Sequence, residues 1–219
     1  MDLGLMYRTF PFFLKGALVT ISMTGIATVL GLALGLVVGI GRIRGGRIAS
    51  RVALVYVTCT RGVPLLVQIF IVYYGLNQLI GVTPFLGGTL ALAICTAGYL
   101  AEVIRAGIMS VDPGQQEAAE SLGLSYGQAM RVVILPQALR NALPGLGNEF
   151  ITLLKASSLT SAISVVELTR VATQLKSGTY KPIEMYLNAV LLYLLMTMAF
   201  AYGVHVLERR WGAPRRTLA

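Results

Sequence analysis

Long uncharged runs alternate with short polar stretches along this chain. Residues 16–41 form a run of 26 positions without a charge, and residues 62–101 form another of 40. Gly81-Val82-Thr83-Pro84 and Gly87-Gly88 divide the longer run with turn-forming residues. A further run covers 185–207 and holds His205. Crossing a hydrocarbon core of about 30 Å takes roughly 20 apolar residues in a helix. The runs therefore predict spans at 12–41, 52–80, 86–106 and 183–207. A weaker span at 142–166 carries Glu149 and Lys155. The pattern predicts an all-α, polytopic membrane protein of about five transmembrane helices, a single domain over 1–219, with a polar loop at 107–141.

Finer patterning adds detail. Gly31, Gly35 and Gly39 recur every four residues on one helix face, where small residues permit close helix approach in lipid. They suit a seam within the subunit, with a dimer seam as the alternative. Pro64 predicts a kink in the second span, and Arg61 can snorkel to the nearby interface. Leu168, Val171, Ala172 and Leu175 follow the spacing of an amphipathic helix, lying along the membrane surface and ended by Ser177-Gly178. In the loop, Asp112, Pro113 and Gln115 predict a capped helix start, Gly123 a helix end, and Ser125 the cap of a second helix running to Pro136.

Composition agrees with the patterning. Of 219 residues, 56% are hydrophobic and 12% charged, with a mean hydropathy of +0.74. A soluble exterior needs more charge than that. The net charge of +9 does not point to nucleic acid, because its clusters sit where loops meet the cytoplasm. Arg42, Arg44, Arg47 and Arg51 follow the first span; Arg209, Arg210, Arg215 and Arg216 follow the last. Five spans put both clusters on one side, so the N-terminus is expected outside and the C-terminus in the cytoplasm. Arg170, Lys176 and Lys181 fall on the outer side and dilute the bias. The first apolar stretch is too long for the core of a cleaved signal. Cys59 and Cys95 lie in apolar segments and, with one histidine, offer no metal site.

The loop carries a specific motif. Glu117-Ala118-Ala119, three residues, Gly123, nine residues, then Val133-Ile134-Leu135-Pro136 resembles the EAA loop of ABC importer permeases, with Val133 in place of the usual isoleucine. Thr60-Arg61-Gly62-Val63-Pro64-Leu65-Leu66-Val67-Gln68 is similar to the second span of permeases for polar amino acids. Gly98-Tyr99-Leu100-Ala101-Glu102-Val103-Ile104-Arg105-Ala106-Gly107 resembles their third, and the segment from Asn148 to Leu159 their fourth. Relatives often carry a polar or acidic residue after the lysine, where this chain has Ala156.

The resemblance implies a bacterial inner-membrane importer. It would comprise two permease subunits (a second copy or a paralogue), a cytoplasmic ABC ATPase dimer and an external substrate-binding protein. No phosphate-binding G-x-x-x-x-G-K-[ST] loop occurs, so this chain is expected to bind no cofactor, with ATP and Mg on the partner. The resemblance assigns ATPase coupling to Glu117, Ala118, Ala119, Gly123, Leu135 and Pro136. Charges inside spans are costly and face bundle interiors or watery cavities. Asn148, Thr152 and Lys155 make one stripe at i, i+4 and i+7, bordered by Glu149; with Arg61, Gln68 and Glu102 they are the candidate substrate pathway. Interior contacts are the competing reading, most plainly a Glu102–Arg105 pair three residues apart. The uncharged Ala156 points to a neutral or acidic amino acid. A membrane-embedded enzyme is the alternative from another class, but the charged groups show no nucleophile–base or metal spacing. A passive channel would have no use for the loop.

Overall fold

The computed structural model describes residues 1–211, so Arg215 and Arg216 lie outside the described residues. The opening helix, α1 (Leu3–Arg44), is 42 residues long, well beyond the expected 12–41. Asp2 caps it, its carboxylate accepting from the Leu5 N–H. Gly31, Gly35 and Gly39 are all buried, so the glycine face is a seam within the subunit. They abut α4 (Pro84–Met109), where a Cβ would come within 3.2 Å of the Ala93 carbonyl at Gly31, 3.0 Å of Ala97 at Gly35 and 3.3 Å of Ala101 at Gly39.

The expected second span is two helices. α2 (Arg47–Gly62) and α3 (Leu65–Ile80) meet at 112°. Pro64 has no N–H and disfavours helical backbone in the residue before it. Val63 is accordingly extended (φ −99°, ψ 137°). The Gln68 amide repairs the break, donating from Nε2 to the carbonyls of Thr60 (2.9 Å) and Val63 (2.7 Å).

After α4, Asp112 caps α5 (Pro113–Ser121) by accepting from the Gly114 N–H at 2.8 Å. The Gln115 amide oxygen accepts from Gln137 Nε2 at 3.2 Å, reaching across the hairpin. Gly123 turns the chain at φ +82°, a conformation a Cβ disfavours. Ser125 and Gln128 form a capping box at α6 (Tyr126–Ala129). Here the helix does not stop at Pro136 as the sequence predicts. It passes through a π turn, Met130–Ile134, into α7 (Leu135–Ala156). The Leu135 N–H bonds the Met130 carbonyl, five residues back, and this wider turn eases the crowding that the Pro136 ring would meet in a regular α turn.

α7 tightens into a 3-10 segment, Ser157–Ile163, before α8 (Leu168–Thr179) and α9 (Pro182–Trp211). α8 buries Leu168, Val171 and Ala172, and runs past Ser177-Gly178 to end at Tyr180 (φ +55°). Its N-cap is the fully buried Glu167, which accepts from the Thr169 N–H (2.8 Å), the Arg170 N–H (2.7 Å) and the Tyr193 hydroxyl (2.9 Å). The Leu168 N–H donates to Thr20 of α1 at 3.2 Å. The start of α1 is clipped to α9: the Asp2 N–H donates to Glu184, and Asn188 donates to the Met6 carbonyl and to Thr9.

Among the described residues, α1, α4 and α9 are each long and apolar enough to cross a membrane. α2 with α3, and 126–163 with α8, qualify only as bent pairs, giving three to five crossings.

Candidate functional site

A cavity of about 180 Å³ opens where the α2–α3 bend meets α4 and α7. Thr60, Leu65 and Gln68 contribute from the bend, Cys95, Thr96 and Tyr99 from α4, and Glu149, Thr152, Leu153 and Ala156 from α7. Three of the expected pathway residues, Gln68, Glu149 and Thr152, thus come together in its wall. Arg61 flanks it: its guanidinium lies 5.5 Å from the centroid of the Tyr99 ring and within electrostatic reach of Glu149. A cation over an aromatic face at that range is attracted by the ring quadrupole. One wall therefore presents a carboxylate and its rim a cation.

The other pathway candidates lie elsewhere. Asn148 and Lys155 are exposed on the adjoining face of α7 and do not line the cavity. Glu102 is outside it as well. Its carboxylate pairs with Arg42 at the end of α1, and with Arg105 at 2.9 Å. The ion pair three residues apart is present, and Arg42 makes it a clamp between α1 and α4. Thr60, Thr96 and Tyr99 escaped selection as site residues. Thr96 and Tyr99 are three apart on one face of α4, a polar pair within an uncharged run, and that spacing was the available signal.

The coupling candidates divide in two. Glu117, Ala118 and Gly123 are exposed around the turn, while Ala119 is buried against the hairpin. Leu122, beside Gly123 and 83% exposed, adds an apolar tip that sequence reasoning passed over. Leu135 and Pro136 sit apart from this tip, where the π turn joins α7.

Residues 31–212 match the family described as the binding-protein-dependent transport system inner membrane component. This chain belongs to that family of permeases. The nopaline transport system permease protein NocM of Agrobacterium fabrum is 38% identical over 219 residues, 95% of this chain and 91% of its own. The glutamine transport system permease protein GlnP of Escherichia coli is 34% identical over 212 residues, 95% and 97% of the two chains. A crystal structure of an amino acid ABC transporter with histidines contains a chain that superposes with a TM-score of 0.91 at 42% identity, over 96% of this permease and 99% of that chain. The permease is therefore a membrane-spanning chain, and its cavity lies against α4, one of the helices long and apolar enough to span.

Proposed function

We propose that this permease forms the translocation pathway for a polar amino acid in an ATP-binding-cassette importer, and that its Glu117–Gly123 turn engages a separate cytoplasmic ATPase. One observation carries the reading. From Tyr126 to Ala156 the backbone is continuous helix through the π turn, so the element that supports the exposed turn also supplies Glu149, Thr152 and Ala156 to the cavity wall. Tyr126 to Glu149 spans 23 residues, roughly 35 Å of helix. A displacement at the turn is carried toward the cavity along this one continuous helix.

The chemistry of the cavity favours a zwitterion. Glu149 suits a substrate ammonium, and Arg61 at the rim, with the exposed Lys155 nearby, suits a carboxylate. Ala156 lines the wall without charge, which favours a neutral or acidic side chain on the substrate. A second permease, an ATPase dimer carrying ATP and Mg, and an external binding protein complete the assembly. The relatives named for nopaline and for glutamine show similar identity, so likeness alone does not choose the amino acid.

The test is to reconstitute the complex with its ATPase and binding protein and to screen amino acids for stimulated ATP hydrolysis. Neutral or acidic amino acids should stimulate. Stimulation by arginine or lysine alone overturns the side-chain preference, and silence across all amino acids overturns the substrate class. The orientation has its own check: single cysteines replacing Arg47 and Gln128 should resist an impermeant thiol reagent in intact cells, while one replacing Thr179 reacts. The reverse pattern inverts the topology.

A further inference from the structure

A second, larger cavity of about 440 Å³ opens on another side of the molecule. Leu36 and Ile40 of α1, Ile104 and Ile108 of α4, and Leu135 and Leu139 of α7 are among its lining residues, and no polar side chain is among them. It runs along α1 from Leu32 to Ile40, about 12 Å at 1.5 Å per residue. A single leaflet of the hydrocarbon core is roughly 15 Å deep. The groove therefore fits one acyl chain lying along the bundle within one leaflet.

Two further features decide the occupant. Arg44 stands one helical turn beyond Ile40, the last α1 residue in the groove's lining. Its guanidinium lies over the Tyr126 ring, 4.6 Å from the centroid, and no acceptor among the described residues takes its N–H groups. A guanidinium held this way presents paired donors to a phosphate. The groove residues of α7 also centre roughly 130° round the helix from Asn148, Thr152 and Lys155, at 3.6 residues per turn. A partner subunit gathered around the polar stripe would leave the groove facing lipid.

We propose that this groove binds an anionic phospholipid from the leaflet on the Arg44 side, one acyl chain in the groove and the phosphate on Arg44. The lipid then bridges α1, α4 and the start of α7, the three elements that meet below the coupling turn.

The experiment is native mass spectrometry of the purified, delipidated transporter complex titrated with phosphatidylglycerol or phosphatidylcholine. Two variants separate the headgroup from the chain: Arg44→Gln removes the donors, and Ala33→Phe fills the groove from an exposed position. The intact complex should bind phosphatidylglycerol saturably and about tenfold more tightly than phosphatidylcholine, the factor that one charge-assisted contact of about 1.4 kcal/mol supplies. Arg44→Gln should abolish that difference, and Ala33→Phe should weaken both lipids. Equal binding of the two lipids to the intact complex, or phosphatidylglycerol binding that neither variant changes, overturns the proposal. So does an Ala33→Phe complex that loses its second permease copy, because the groove would then be a subunit contact.

Discussion

The Glu117–Gly123 turn and the cavity at the α2–α3 bend are built in opposite ways. The turn is local: Asp112 caps onto Gly114, Ser125 pairs with Gln128, and Gly123 is left-handed, each acting within a few residues of itself. The cavity is assembled from distance: Thr60, Gln68, Tyr99 and Glu149 come from four helices and meet only when the bundle closes. A local turn can be presented rigidly with little support from the rest of the fold, which suits a surface that another protein must grip. A cavity walled by separate helices changes shape whenever those helices move, which suits a site that must open to alternate sides. The continuous helix from Tyr126 to Ala156 joins the two.

This contrast predicts that the regions fail separately. The largest effect is expected for Gly123→Leu. A side chain at φ +82° costs about 1–2 kcal/mol locally, and the reshaped tip should lose ATPase docking. Uptake should fall by at least about tenfold with the apparent substrate constant unchanged, ten being the factor for 1.4 kcal/mol. Normal co-purification of the ATPase with this variant would remove the turn's role. Glu149→Leu should do the reverse. A hydrogen bond to a charged group contributes about 1.5–3 kcal/mol, so the apparent substrate constant should rise about tenfold or more while the ATPase stays docked and basal hydrolysis persists. If ATPase docking fails instead, the cavity and turn are not separable in this way.

A smaller effect is expected at Lys155. It is exposed in the subunit, so Lys155→Met strands no buried carboxylate. Yield and thermal stability should hold while the apparent substrate constant rises several-fold; the opposite result, lower stability with unchanged affinity, makes Lys155 structural. The smallest concerns the cavity wall itself. A Cβ at Gly98 would press on the Thr60 side chain, whose hydroxyl already donates to the Tyr56 carbonyl. Overpacking of this kind costs about 1–3 kcal/mol. Gly98→Ala should lower the melting temperature by a few degrees, measured on the purified subunit, and leave ATPase docking intact.

The same contrast explains what could be read in advance. The long apolar helices and the turn were legible because their signals are local: uncharged runs, caps, a glycine at a helix end. Pro64 announced a kink, but a 112° break depends on how Gln68 satisfies the carbonyls that the proline frees. Pro136 read as a stop because nothing in its own neighbourhood encodes a π turn. Glu102 read as a pathway candidate because Arg42, which pairs with it across the α1–α4 seam, lies 60 residues earlier. The polar stripe of α7 was visible by its spacing. Which of its members line the cavity is set by the position of α4 and the α2–α3 bend, and only Thr152 and the neighbouring Glu149 do.

The clip between α1 and α9 bears on how such a chain is made. Asn188 reaches back across 182 positions to the Met6 carbonyl. At about 5–20 residues per second, the first helix waits roughly 10–40 s in the bilayer before its partner emerges. Through that interval the Thr9 hydroxyl has only its own helix to bond, at Leu5 and Met6. The last of the described helices is thus the one that latches the first, and a ribosome that stalls before Asn188 leaves α1 unfastened.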